Sequence, residues 1–145
     1  MKNPIGIEFM RLTKYENLDP SLQSQGVPRP PLQLPLEEGS VTLPLPEGKS
    51  LPLEKMDLAD LIERRETRRK YSEEPISLQE LAFLLWGTQG VKSYSDKQLT
   101  RRTVPSAGAR HPFETFLLVN RVQGLEHGLY RYLALDHQVA HLNAP

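Results

Sequence analysis

The chain has 145 residues, with 18 Lys+Arg against 18 Asp+Glu, a formal net charge of zero and no cysteine. Charge balance of this kind argues against a dedicated nucleic-acid binder, which carries a basic excess. The missing cysteines exclude disulfides, thiolate zinc sites, iron–sulfur ligation and a cysteine nucleophile.

The length implies one domain. No run approaches the roughly 20 apolar residues of a membrane span. Residues 1–12 hold no apolar stretch long enough for a secretory signal. A cytoplasmic protein is the expectation, with no membrane and no nucleic acid among its partners.

Nine of the 13 prolines fall in residues 1–52. The stretch Val27-Pro28-Arg29-Pro30-Pro31-Leu32-Gln33-Leu34-Pro35-Leu36 excludes a helix, because proline lacks the donor and clashes one turn back. Residues 1–52 therefore read as an extended, proline-rich leader arm. Leu32, Leu34, Leu36, Leu43, Leu45, Leu51 and Leu53 favour an arm that wraps a neighbouring surface over a free linker. A proline-rich ligand for a small recognition domain is the rival.

Residues 53–145 read as the folded part. Asp57 is placed to cap a helix over Leu58 to Glu66. Ser77 and Glu80 have capping-box spacing, followed by Leu78, Leu81, Leu84 and Leu85 at helical intervals and a stop at Gly90. Residues 91–112 are polar and basic and read as a loop. Strand formers run from Thr115 to Val122, alternation returns over Gly128 to Leu133, and Gln138 to Leu142 fits its hairpin partner after a turn near Asp136. The class is α+β, helices first and strands after.

Seven of the 11 arginines lie in two stretches, Arg64 to Arg69 and Arg101 to Arg110. Guanidinium groups gathered this way suit a phosphate. Arg65 and Arg69 share a face if helical; if the chain is extended after Glu66, Arg65, Thr67 and Arg69 share a side. A solvated basic face at a helix C-terminus is the plainer alternative. The second stretch contains Pro105-Ser106-Ala107-Gly108-Ala109-Arg110-His111-Pro112, whose small residues allow close approach to a flat ligand. Ser106 can supply a hydroxyl, and the amides of Ala107 to Ala109 can donate. An ordinary tight loop before a strand has the same composition. The histidines show no metal-ligand spacing, and Glu73 and Glu74 read as solvated. No Ser-His-Asp order, Walker motif or dinucleotide glycine fingerprint is present.

Taken in order, three stretches resemble the nitroreductase-like flavin oxidoreductases, and among them the SagB-type dehydrogenase branch. They are Ile62-Glu-Arg-Arg-Glu-Thr-Arg-Arg-Lys-Tyr71, the helix from Ser77 to Gly90, and Arg102-Thr-Val-Pro-Ser-Ala-Gly-Ala-Arg-His-Pro-Phe-Glu114. Gly128-Leu-Tyr-Arg-Tyr132 continues the likeness. Glu8-Phe9, Thr13-Lys14-Tyr15 and Pro28-Arg-Pro-Pro-Leu32 resemble the arm before this domain in bacterial members.

The resemblance implies an FMN-dependent α+β fold that forms a homodimer with flavin at the subunit interface. The family's Arg-x-Ser-x-Arg/Lys-x-aromatic motif falls on Arg65, Thr67, Arg69 and Tyr71, with threonine where serine is usual. Arg65 and Arg69 would hold the FMN phosphate and ribityl end, and Thr67 would add a hydroxyl. Pro105, Ser106, Ala107, Gly108 and Ala109 match the loop along the flavin ring, contributed by the partner subunit. Ala109 stands where many relatives carry asparagine. Arg110 and His111 are near this pocket without an assigned role. The implied activity is two-electron transfer through flavin N5, with small-molecule or modified-peptide substrates and no acid–base side chain required.

The sequence ends at Asn143-Ala144-Pro145, before the family's later strand and interface helices. The expectation is therefore the N-terminal part of the domain, incomplete at the C-terminus. A non-catalytic remnant or partner-binding subunit is the second reading. A proline-arm module binding an acidic partner is the third.

Overall fold

The computed structural model describes residues 4–95 and 99–142. The expected uncapped end, Asn143-Ala144-Pro145, lies outside the described residues. The chain divides into two compact units, one up to Pro31 and one from Leu32.

In the first unit Ile5–Leu12 forms helix α1, which the extended reading of residues 1–52 does not contain. The Thr13 amide and hydroxyl both donate to the Phe9 carbonyl and close its last turn. A 3-10 turn at Tyr15–Asn17 follows. Residues 27–31, the proline run, adopt neither helix nor strand.

The second unit is built on a four-stranded antiparallel sheet of order β1-β6-β5-β4, with β1 Thr42–Pro44, β4 Thr115–Val119, β5 Gly128–Leu133 and β6 Gln138–Leu142. The ladder places Leu117 opposite Tyr130 and Tyr132 opposite Val139. Alternation along the strands sends these side chains to one face. There they form the core with Leu81, Ala82 and Leu85 of helix α3, Leu78–Gln89. β4 stops at Val119, short of the expected Val122; the chain instead meets Ile76 in a parallel bridge at Val122.

Residues 32–52 lie within this unit. Leu34 donates its amide to Glu114 Oε1 (2.8 Å), and the Gln33 side-chain oxygen accepts from the Leu135 amide (3.1 Å). Thr42–Pro44 adds an edge strand, a position that tolerates proline because one side of the strand needs no donor. A 3-10 turn at Gly48–Ser50 sits against α3, where Gln79 donates to the Glu47 carbonyl (2.9 Å). A side chain at Gly48 would collide with Trp86, so glycine is required by the close approach.

Helix α2 covers Leu58–Arg64, capped by the Asp57 carboxylate accepting from the Ala59 amide (2.8 Å). It ends two residues before the expected Glu66. Ser77 and Glu80 form the capping box of α3. The loop expected over residues 91–112 is corrected in its first half: Val91–Ser95 (β2) and Leu99–Arg102 (β3) pair as an antiparallel hairpin with a register shift between Val91 and Ser93. Thr100 is fully buried in it, and Arg102 is buried beside it.

Candidate functional site

The first arginine stretch begins where α2 stops. Arg65 already has extended backbone, φ −63° and ψ 118°. Residues 65–70 carry no helix. The helical geometry for Arg65 and Arg69 is thus excluded. Glu66 and Arg68 form an ion pair at 2.5 Å. Side chains two residues apart meet on an extended chain and not on a helix. On a regularly extended chain Glu66 and Arg68 take one side and Arg65, Thr67 and Arg69 the other. All three are exposed. Among the described residues neither Arg65 nor Arg69 has a hydrogen-bond or ion-pair partner. Glu73, read as solvated, is exposed and also pairs with Arg121, whose Nη2 donates to the Ser72 carbonyl (3.2 Å). Tyr71 lines a cleft of about 360 Å³ together with Ile76 and Leu118.

The second stretch is pinned at its start. Thr103 donates its amide to the Gly90 carbonyl (2.9 Å) and its hydroxyl to the Trp86 carbonyl (2.9 Å), tying the loop to the end of α3. Ala107–Ala109 then makes a single 3-10 turn. Gly108 lies at φ 64°, and Ala109 and His111 follow at 53° and 46°. Two non-glycine residues in the left-handed region cost about 1 kcal/mol or more each. Hydrogen bonds hold the turn against that strain. Ser106 Oγ accepts from the His111 amide (2.9 Å), and the Ala109 amide donates to the Ser106 carbonyl (3.1 Å). Of the three amides expected to face a ligand, that of Ala109 is thus already committed.

Pro105, Ser106 and Ala107 line a mostly apolar cleft of about 340 Å³ with Gln89, Arg110 and His111. Behind it Arg102 donates from Nη1 to Gln89 Oε1 (3.1 Å) and from Nε to Thr100 Oγ1 (3.2 Å). Burial lowers the Arg102 pKa, opposed by Glu114. Burial, reinforced by Arg102, also holds His111 below its ordinary value, so its imidazole is neutral at pH 7. Gln89 was not legible as a site residue, since a glutamine closing a helix before a glycine carries no distinguishing pattern; Arg102 reads only as one member of an arginine cluster.

The structure gathers Pro105, Ser106 and Ala107 with Gln89 and His111 around one cleft, with Arg102 bonded to Gln89; Gly108 and Ala109 are not among its lining residues. Among the described residues no hydrogen bond or ion pair links that loop to Arg65, Thr67 or Arg69 within one chain. No group of three or more His, Asp or Glu side chains among the described residues is placed to hold a metal ion. No helix among them is long and apolar enough to cross a membrane.

The chain is similar to "Putative nitroreductase MJ1384" of Methanocaldococcus jannaschii, 33% identical over 90 residues, which is 62% of this chain and 43% of that protein. It is also similar to the "Trifolitoxin-processing protein TfxB" of Rhizobium leguminosarum bv. trifolii, 38% identical over 53 residues, 36% of this chain and 14% of that protein. The matches thus span less than half the length of these curated relatives. Residues 62–142, which contain both arginine stretches, the capped helix α3 and the strands β4 to β6, match the model of the Nitroreductase family, and the chain belongs to that family.

Proposed function

We propose that the chain supplies the FMN-binding residues of a cytoplasmic, flavin-dependent oxidoreductase of the SagB-type dehydrogenase class, acting as a homodimer with flavin at the interface. The observation that carries this reading is the arrangement of Arg65, Thr67 and Arg69. Two unpaired guanidinium groups and a hydroxyl on one side of an extended segment are the donor set a phosphate monoester needs. The donor chemistry of this segment therefore fits FMN. The apolar cleft beside Pro105 to Ala109 fits a flat ring.

In this reading Arg65 and Arg69 bind the phosphate through charge-assisted bonds, and Thr67 donates its hydroxyl. Pro105, Ser106, Ala107, Gly108 and Ala109 present short side chains to the ring from the partner subunit. Ser106 Oγ accepts from the His111 amide (2.9 Å) and donates over 3.5 Å to the Ala107 carbonyl, a long bond that a ligand acceptor would replace. Bound FMN supplies two-electron transfer at flavin N5, and the chain's residues supply position, positive charge and exclusion of water. Substrates are small molecules or modified peptides; similarity to a protein named for trifolitoxin processing supports the second class.

The test is an absorption spectrum of the purified protein with and without added FMN. Bound flavin with a perturbed visible band is expected; a colourless protein that leaves the FMN spectrum unchanged would contradict it. The second reading, a partner-binding subunit without catalysis, is favoured by exposed Phe113, Phe116 and Leu118 on and beside β4. It predicts co-purification with another chain and no flavin uptake.

A further inference from the structure

Arg131 sits on β5 with its residue only 7% exposed. Its Nη2 donates to the carbonyls of Leu34 (2.8 Å) and Pro35 (3.3 Å). Its Nε is buried with no hydrogen-bond partner. It forms no ion pair with any described residue. A buried guanidinium without a carboxylate is costly, and a buried donor left unmade adds to that cost. Such a group favours an anion at the part of the guanidinium that solvent still reaches.

Arg131 lines a cleft of about 450 Å³ between residues 35–41 and the β5–β6 face. Leu129, Leu142 and the exposed Val41 supply its apolar lining, and His141 lines it as well. Glu37 and Glu38 line the same cleft from the exposed segment. One buried positive group and two exposed negative groups, with His141, therefore line one cleft of mixed polar and apolar surface. A simple anion would meet Arg131 and be repelled by the glutamates; a simple cation would meet the reverse. A molecule with both charges and an aliphatic body satisfies all of them.

We infer that this cleft binds a zwitterion of the amino-acid class, a free amino acid or a short peptide, with its carboxylate on Arg131 and its ammonium on Glu37 and Glu38. This site is separate from the residues assigned to flavin, and its test does not depend on them.

The experiment titrates the protein with leucyl-leucine, followed by calorimetry and by the backbone amide shifts of Leu129, Arg131 and Leu142. Saturable binding with shifts at those three residues is expected. N-acetyl-leucyl-leucine, which lacks the cation, and leucyl-leucinamide, which lacks the carboxylate, should each bind at least about tenfold more weakly, since each loses a charge-assisted contact. Free leucine separates the sources: affinity equal to the dipeptide assigns an amino acid, and weaker affinity assigns a peptide. Arg131→Gln risks the fold, because Arg131 anchors Leu34 and Pro35. The double variant Glu37→Gln, Glu38→Gln changes exposed positions and should weaken leucyl-leucine while leaving the N-acetyl form unchanged. Equal binding of the blocked and unblocked dipeptides, no shift at the three residues, or full affinity in the double variant would overturn the inference.

Discussion

Glu66 and Arg68 pair at 2.5 Å across one intervening residue, just beyond the last turn of α2. Both side chains are well exposed, so the pair adds little stability. It accords with an extended segment, whose regular alternation would leave Arg65, Thr67 and Arg69 together on the other side.

Arg65→Ala and Arg69→Ala should each weaken FMN binding by about 1.5–3 kcal/mol, roughly 10- to 150-fold, through loss of a charge-assisted phosphate bond. Arg68→Ala should leave the affinity within about twofold, because Arg68 faces Glu66. Riboflavin, which lacks the phosphate, should bind all of these variants and the parent alike. Fluorescence titration with both flavins checks this; equal FMN affinity in both alanine variants removes the phosphate assignment.

Gly108→Val should lower flavin occupancy with an unchanged far-UV spectrum. Space is not the obstacle, since an added Cβ would lie 3.9 Å from Arg110 Cγ at the nearest. The backbone is the obstacle: φ 64° is disfavoured for L-residues, most of all β-branched ones. Flavin content per chain after purification checks it, and parental content would count against the loop's role.

At Gly90 the constraint is steric. An added Cβ would strike the Trp86 ring and carbonyl, and Gly90 also accepts from the Thr103 amide at 2.9 Å. Gly90→Ala should cost about 1–3 kcal/mol by overpacking. A lowered denaturant midpoint is expected, together with loosened protection of the Thr103 amide in hydrogen exchange.

His111 gives the protein a pH dependence of known sign. Its folded pKa is lowered from 6.5, first by burial and then by Arg102, with the Thr100 backbone opposing. As pH falls below 6.5 the unfolded chain takes up this proton more readily than the folded one. The contribution is fully present above 6.5 and is lost as pH falls through the folded value. His111→Asn removes the titration and suits the left-handed backbone. Melting temperature followed from pH 6.5 to 5.5 should fall less steeply in the variant; that interval lies above the onset for Glu80, whose unfolded form titrates at 4.5 and whose folded form is lowered by Ser77. Identical slopes would remove His111 as the source.

Much of the second unit was legible because its signals are local. The Ser77–Glu80 capping box and the leucine spacing define α3, and β5 and β6 have the expected bounds. The β2–β3 hairpin was not legible. Val91-Lys-Ser-Tyr-Ser95 and Leu99-Thr-Arg-Arg102 are polar, and their burial rests on Thr100 and on Arg102 bonding Gln89, a tertiary contact without sequence periodicity. β1 hid among prolines that an edge strand tolerates. At the site, residue types were readable and side was not. The helical alternative for Arg65 and Arg69 falls because α2 stops at Arg64, earlier than its pattern implies. The strain at Ala109 and His111 has no signature in their side chains.

The most direct measurement mixes two variants that each lose flavin, Arg65→Ala with Arg69→Ala in one chain and Gly108→Val in the other. If each flavin takes its arginines from one subunit and its loop from the other, every mixed dimer keeps one intact site. Equal mixing after unfolding and refolding should then restore about a quarter of the parental FMN binding, the share expected for random two-fold pairing. Mixed dimers that form and remain without flavin would contradict the account.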